Sequence, residues 1–281
     1  MRELPPFFLR KGTGMILDAK NDTLTLDGEI FDYITFGEGE RPLVMIPGIS
    51  DGFRTVEGIA LPVAVWARDY AKDFRVTVFS RRRELPENFT VRDMAEDVCR
   101  EMDALGIDRA CVLGVSQGGM IAEELALAHP GKIEKLVLAI TLGRQNDTVR
   151  AAVGHWIELA EAEDYRGIML DMAELSYTKA HRLKYRTAYG LYTHIPPKES
   201  FSRFLTEARA CLAHDAWDRL PEITVPTLVL GATDDRIVSG AASRELASRI
   251  PGALLHMFEG YSHGAIDEAP DFHEWVIDFF R

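Results

Sequence analysis

Residues 110–128 run Ala110-Cys-Val-Leu-Gly-Val-Ser116-Gln-Gly-Gly-Met-Ile-Ala-Glu-Glu-Leu-Ala-Leu-Ala128. Ala110 to Leu113 is a short apolar run of the kind a buried strand shows, and from Met120 the apolar residues recur at helical spacing. Gly-Val-Ser-Gln-Gly therefore falls on a strand–turn–helix junction, the setting in which G-x-S-x-G holds a serine hydroxyl exposed for attack. Gly114 and Gly118 flank a serine forced into a strained backbone, where side chains would collide across the tight turn. Ser116 is the candidate nucleophile.

The elements around this junction alternate. Thr23–Leu26 and Ile30–Phe36 flank Asp27-Gly28, a two-residue hairpin signal. Leu43–Ile46 is a buried strand stopped by Pro47-Gly48, a helix is expected from about Thr55 to Tyr70, and Arg75–Phe79 is another strand. Thr90 with Asp93 makes a capping box that opens a helix to about Leu105. Ile133–Ile140, Thr227–Leu230 and Ala253–Phe258 complete the strands, with helices from Ala241 to Ile250 and from Asp271 to Phe280. Strand–helix alternation implies crossover units and a mostly parallel sheet. From Asn146 to Glu222 the alternation stops and amphipathic segments rich in aromatics take over. The expected organisation is a core of 1–145 and 223–281 with a helical cap at 146–222, set over the carboxyl edge of the sheet where ligands bind. Most cap aromatics should pack the cap itself. Trp156 and Tyr189 are the candidates to face the ligand.

Composition narrows the function. With 281 residues and 47% hydrophobic content the chain can bury a substantial core. A net charge of −12 opposes nucleic-acid binding, because like charges would meet the phosphates. No apolar stretch reaches the ~18 residues that span a bilayer, and Met1–Gly14 carries no signal-peptide core. Three scattered cysteines, Cys99, Cys111 and Cys211, suggest reduced, buried thiols and a cytoplasmic location. Arg81-Arg82-Arg83, followed by Glu84 and Glu87, is either a solvated loop with local ion pairs or a source of one arginine, Arg81, for an anionic substrate group.

A serine hydroxyl is a poor nucleophile near neutral pH and needs a base, which in turn needs a carboxylate to orient it. In this element order they should follow as acid, then base, in loops after late strands. The loop after Leu230 offers Asp234 and Asp235. Asp235 is preferred because Arg236-Ile237-Val238 opens the next helix, while Asp234 is better placed to brace the turn. The loop after Phe258 offers His263, alone among the eight histidines in lying just past a late strand. Histidine spacing and the lack of a cysteine pair argue against a metal site. The amide of Gln117 should be one oxyanion donor, and that of Ile49, in Pro47-Gly48-Ile49-Ser50, the other.

From Ile30 to Phe280 the chain resembles the α/β-hydrolase superfamily, in the branch of carboxylesterases, enol-lactonases, cofactor-free haloperoxidases and meta-cleavage-product hydrolases. The matching segments are Leu43–Gly48, Gly114–Ala122, Thr233–Val238, and His263 followed by Glu268-Ala269-Pro270. Two positions depart from the common pattern: Pro47-Gly48 stands for His-Gly, and Ser80-Arg81-Arg82-Arg83 for a glycine-rich Asp-Arg turn. The resemblance implies an eight-stranded, mostly parallel twisted sheet flanked by helices, with the cap inserted after strand 6. It implies a serine hydrolase acting without cofactor on a small ester, thioester or lactone through Ser116, Asp235 and His263, as a monomer or homodimer. Carbon–carbon hydrolysis of a vinylogous diketone, and a triad-bearing ligand receptor, are the alternatives.

Overall fold

The protein is described by a computed structural model over residues 18–192 and 201–281, the side chains of 188–192 excepted. Strands β1 (Lys20–Leu26) and β2 (Glu29–Phe36) turn about Asp27-Gly28 and pair antiparallel, Leu24 opposite Phe31. β3 (Arg41–Ile46), β4 (Phe74–Phe79), β5 (Ala110–Val115), β6 (Ile133–Ala139), β7 (Thr227–Ala232) and β8 (Leu254–Phe258) follow. They form one eight-stranded sheet in the order β1-β2-β4-β3-β5-β6-β7-β8. β2 pairs antiparallel to β4, and all pairings from β4 through β8 are parallel.

The near-continuous apolar runs of the inner strands are explained by burial on both faces. Leu43, Met45, Leu113, Val137 and Leu230 pack on one side with Ala60 and Ala64 of α1 (Ala60–Trp66) and with Phe272, Val276 and Phe280 of α10 (Phe272–Phe280). Val44, Ile46, Val112, Leu138 and Val229 pack on the other with α2 (Val91–Ala104) and α3 (Gln117–Ala128). Each large apolar side chain so buried contributes roughly 1.5–3 kcal/mol. The capping box at Thr90 is formed, with the Asp93 amide donating to Thr90 Oγ1 at 3.2 Å. The helix expected from Thr55 is shorter than its apolar pattern: Gly58 takes φ 79, which breaks the turn, and α1 starts only where Asn21 Oδ1 accepts the Ala60 amide at 3.1 Å.

Among the described residues, four α-helices lie between β6 and β7: α4 (Asp147–Glu161), α5 (Tyr165–Ser176), α6 (Lys179–Tyr192) and α7 (Ser202–Ala213). Asn146 and Asp164 cap the first two, accepting the amides of Val149 and Gly167 at 3.0 and 2.8 Å. The chain then returns through α8 (Gly240–Arg249) and the single-turn α9 (Ala265–Glu268) to α10. Parallel pairing puts the carboxyl ends of β3, β5, β6, β7 and β8 side by side, so residues far apart in sequence meet on one edge. No helix among the described residues is long and apolar enough to cross a membrane.

Candidate active site

Ser116 links β5 to α3 with φ 55 and ψ −119, a conformation that costs an L-residue roughly 1–3 kcal/mol and needs external support. Support comes from both sides of its peptide. The Ser116 amide donates to Ala139 O at 2.9 Å, and Thr141 Oγ1 donates to Ser116 O at 2.8 Å. The serine is thus held at the tip of the turn while its side chain points into a cavity.

His263, past β8, approaches Ser116 Oγ through Nε2 at 2.9 Å. Its Nδ1 lies 2.8 Å from Asp235 Oδ2, past β7. The other oxygen, Asp235 Oδ1, accepts the amides of Ile237 and Val238 at 2.8 and 2.9 Å. Burial acts to raise the carboxyl pKa, but His263 and the two amides outweigh it and hold Asp235 below its ordinary value of 3.8. An ionised Asp235 fixes the proton on Nδ1, leaving Nε2 to accept from the serine hydroxyl. Asp234 is exposed and braces the turn, its amide donating to Tyr261 O at 2.9 Å.

The loop that carries His263 is pinned by the cap. Ser262 Oγ donates to Leu175 O at 2.7 Å and accepts the Arg236 amide at 3.2 Å, while the Gly264 amide donates to Ser176 O at 2.7 Å. The last carbonyls of α5, which no amide of that helix can satisfy, therefore hold the loop on either side of His263.

Because the folded-state pKa of Asp235 is depressed, its ionisation favours the folded form fully above about pH 3.8, and that contribution is lost as pH falls through the folded value. Asp235→Asn should therefore melt with a shallower acid dependence than the wild type as pH falls below about 4. Parallel melting curves in that window would show that the carboxylate is not preferentially ionised in the fold.

Ile49 and Gln117 are the first residues of their helical turns, a 3₁₀ turn at Ile49–Gly52 and α3, so neither amide has an acceptor within its own helix. Ile49 lines a cavity of about 290 Å³ between the sheet edge and the cap, together with Ser116 and His263. Trp156, Met169, Met172 and Tyr177 form its cap side. Trp156 is fixed by its indole N–H, which donates to Asp171 Oδ2 at 2.7 Å, and Tyr177 by its hydroxyl, which donates to Asp267 Oδ2 at 2.7 Å. Tyr189 lies outside the described side chains. Met169, Met172 and Tyr177 were not distinguishable in sequence from cap packing, since an amphipathic helix reports only that a side is apolar, not which cavity it closes.

Arg81 departs from both sequence expectations. Its side chain is 3% exposed, lies behind the cavity wall rather than at its mouth, and pairs with Asp51 and Glu207 at 3.8 and 3.7 Å. Arg82 is likewise buried against Asp97 and over the Phe89 ring, and Arg83 donates to both oxygens of Asp32 at 2.9 and 2.7 Å. The nearby Glu84 and Glu87 are not the partners. A charge run in sequence shows only its neighbours, whereas these acids arrive from β2, α2, α7 and the turn after β3. His129, at the end of α3, meets Glu96 Oε2 at 2.9 Å from Nε2. The three thiols are buried, and burial raises Cys99 and pushes Cys111 and Cys211 up to about 11 and 12, so none supplies a thiolate at neutral pH.

A strained serine at a strand–helix turn, with histidine and aspartate brought from later strands of a doubly flanked parallel sheet, is the arrangement of the α/β-hydrolase class. The alpha/beta hydrolase fold family model matches residues 41–270, and the chain belongs to that family. A protein of Caulobacter vibrioides (strain NA1000 / CB15N) with the provisional name carbamate hydrolase RutD is 31% identical over 206 residues, 71% of this chain and 75% of its own. The bearer of that name in Stutzerimonas stutzeri (strain A1501) is 27% identical over 220 residues, 74% of this chain and 82% of its own. Among solved structures, a hydrolase from Pseudomonas aeruginosa PA01 superposes with TM-score 0.78 at 23% identity, covering 92% of this chain and 97% of that one. The enol-lactonase from Burkholderia xenovorans LB400 does so with TM-score 0.77 at 22%, covering 92% and 99%. At these identities the two structures speak to the fold alone.

Proposed function

We propose that the protein is a serine hydrolase of small, uncharged carboxylic esters and related acyl compounds, working through an acyl-enzyme on Ser116. The observation that carries this reading is the unbroken relay from Ser116 Oγ through His263 to Asp235, at 2.9 and 2.8 Å, opening on a cavity. Ser116 Oγ attacks the acyl carbon while His263 Nε2 takes its proton, and Asp235 stabilises the resulting imidazolium. The carbonyl oxygen becomes an oxyanion that the Ile49 and Gln117 amides receive. His263 then protonates the leaving oxygen, the alcohol departs, and water repeats the sequence to release the acid and restore the serine.

The cavity walls argue for the substrate class. Apart from His263, no described lining residue is basic, and the one acid, Asp267, stands where an anionic group would be repelled. Its volume of about 290 Å³ is at the lower limit of ligand pockets, ~300–1,000 Å³. A short neutral acyl chain suits such a space better than a carboxylate-bearing diketone. Carbamates belong to the candidate set because relatives bear that name. The cap, docked on the His263 loop through α5, acts as a lid that excludes water from the acyl group.

A fluorophosphonate probe should form one covalent adduct on the peptide containing Ser116, with parallel loss of p-nitrophenyl butyrate hydrolysis. Labelling confined to another residue would sink the assignment. On a panel of short esters, lactones, carbamates and carboxylate-bearing diketones, neutral acyl compounds should lead.

A further inference from the structure

Arg81 leaves the carboxyl end of β4 and places its guanidinium beneath the turn that follows β3. There Nη2 donates to Pro47 O at 2.7 Å and to Gln117 Oε1 at 2.8 Å, and Nη1 reaches Gly48 O at 3.4 Å. The Gly48 carbonyl and the Ile49 amide are two ends of one peptide group. A cation at the carbonyl end fixes the plane of that peptide and draws electron density from its N–H. The other donor, the amide of Gln117, is steadied through its own side chain, whose Oε1 accepts from Arg81 while Nε2 donates to Glu207 O at 2.9 Å. One planar group thus ties together the two chain segments from which the oxyanion donors project.

The backbone of Arg81 is itself held from behind. Asp51 Oδ2 accepts the Arg81 amide at 3.1 Å and Ser80 Oγ donates to Asp51 Oδ1 at 2.6 Å. Arg203 of α7 donates to Asp51 and to the carbonyls of Arg81 and Arg82, the latter two at 3.0 and 3.1 Å. Glu207 sits 3.7 Å from Arg81 and 3.5 Å from Arg203, its carboxyl oxygens making a hydrogen bond to neither, and burial pushes its carboxyl up to about 7 against the pull of both arginines. Two buried cations and two buried acids therefore lock the turn after β3, the start of α3 and cap helix α7 into one unit.

We propose that Arg81 is a positioning residue of the oxyanion hole, orienting and polarising the Gly48–Ile49 peptide and steadying Gln117. This rests on the reading of Ser116 as an acylated nucleophile. Charge in a water-excluded site acts strongly on groups that develop charge in the transition state, so Arg81 should matter to turnover rather than to substrate binding. A lysine at this position keeps the charge but cannot meet three acceptors in one plane.

The test uses p-nitrophenyl butyrate kinetics together with the inhibition constant of a short alkyl trifluoromethyl ketone, whose adduct with Ser116 carries the oxyanion. Arg81→Lys should lower kcat about tenfold, and the charge-balanced pair Arg81→Met/Glu207→Gln roughly 30- to 100-fold, below the ~100- to 1,000-fold cost of losing a donor outright. KM should stay within about threefold, and ketone affinity should weaken by the same factor as kcat. A folded Arg81→Lys enzyme with unchanged kcat overturns the proposal. So does a loss of kcat with ketone affinity unchanged, or equal damage to KM, which a purely structural ion cluster would produce. If the double variant does not fold, Arg81→Lys decides alone. A wild type that neither hydrolyses the ester nor forms a ketone adduct on Ser116 overturns the parent reading and this one with it, whereas an active wild type with unaffected variants overturns only this one.

Discussion

Ser116→Ala should lower turnover of p-nitrophenyl butyrate by roughly a millionfold, the scale on which triads lose activity without their nucleophile. The protein should remain folded, because alanine keeps the Cβ and loses only the hydroxyl that meets His263 at 2.9 Å. KM is not expected to follow, since the cavity walls are untouched. Stability adds a second readout. Serine at φ 55 and ψ −119 carries about 1–3 kcal/mol of backbone strain, which alanine retains and glycine relieves. After the roughly 0.5–1 kcal/mol entropic cost of glycine, Ser116→Gly should be the more stable protein by about 1 kcal/mol, though equally inactive. Comparing the denaturant midpoints of the two variants checks the strain, and comparing their rates with wild type checks the chemistry. A Ser116→Ala enzyme retaining more than about a hundredth of wild-type kcat would exclude a serine nucleophile.

Gly118→Ala should be the most destabilising glycine-to-alanine change among the described residues. A Cβ at this position runs into the carbonyl of Ile46 and comes within 2.6 Å of Pro47 O. Both obstacles are backbone atoms at the end of β3, which is hydrogen-bonded to β4 on one side and β5 on the other. No rotamer change relieves such a contact. Either α3 backs away from the sheet or the turn after β3 shifts, and either movement disrupts the Ser116 turn. Overpacking usually costs about 1–3 kcal/mol, and a collision with fixed backbone should exceed that, reaching about 4 kcal/mol. This is a large share of the ~5–15 kcal/mol that holds a typical domain together. Gly154→Ala is the matched control: nothing lies within 4 Å of its Cβ, it sits inside α4, and alanine should stabilise that helix by up to about 1 kcal/mol. Urea midpoints for the two variants should move in opposite directions. Equal midpoints would mean that α3 does not approach β3 as closely as described.

Much of the fold was legible because its signals are local. Apolar runs bounded by glycine and proline marked the strands, and the Thr90–Asp93 pair marked the start of α2 to the residue. The helix expected from Thr55 failed because Gly58 acts through its φ angle, which an apolar pattern does not report. The sequence favours Asp235 over Asp234 because the next helix is expected to open at Arg236; α8 starts only at Gly240, and Asp235 Oδ1 instead accepts the Ile237 and Val238 amides of the turn before it. Arg81 was misplaced for a different reason. Its partners, Asp51, Gln117 and Glu207, come from three other segments, and no local feature links them.

The sequence by itself therefore determined the succession of strands along the chain, the strained turn at Ser116 and the acid and base candidates that follow it in two late loops. Each depends on backbone periodicity, turn chemistry and the rule that parallel crossovers bring strand ends to one edge. Tertiary structure alone decided that His263 meets both Ser116 and Asp235, that Trp156 and Tyr177 close the cavity, and that Arg81 is buried beneath it. Those outcomes depend on distances between segments 28 to 147 residues apart, which are set by packing across the sheet edge rather than by neighbours in the chain.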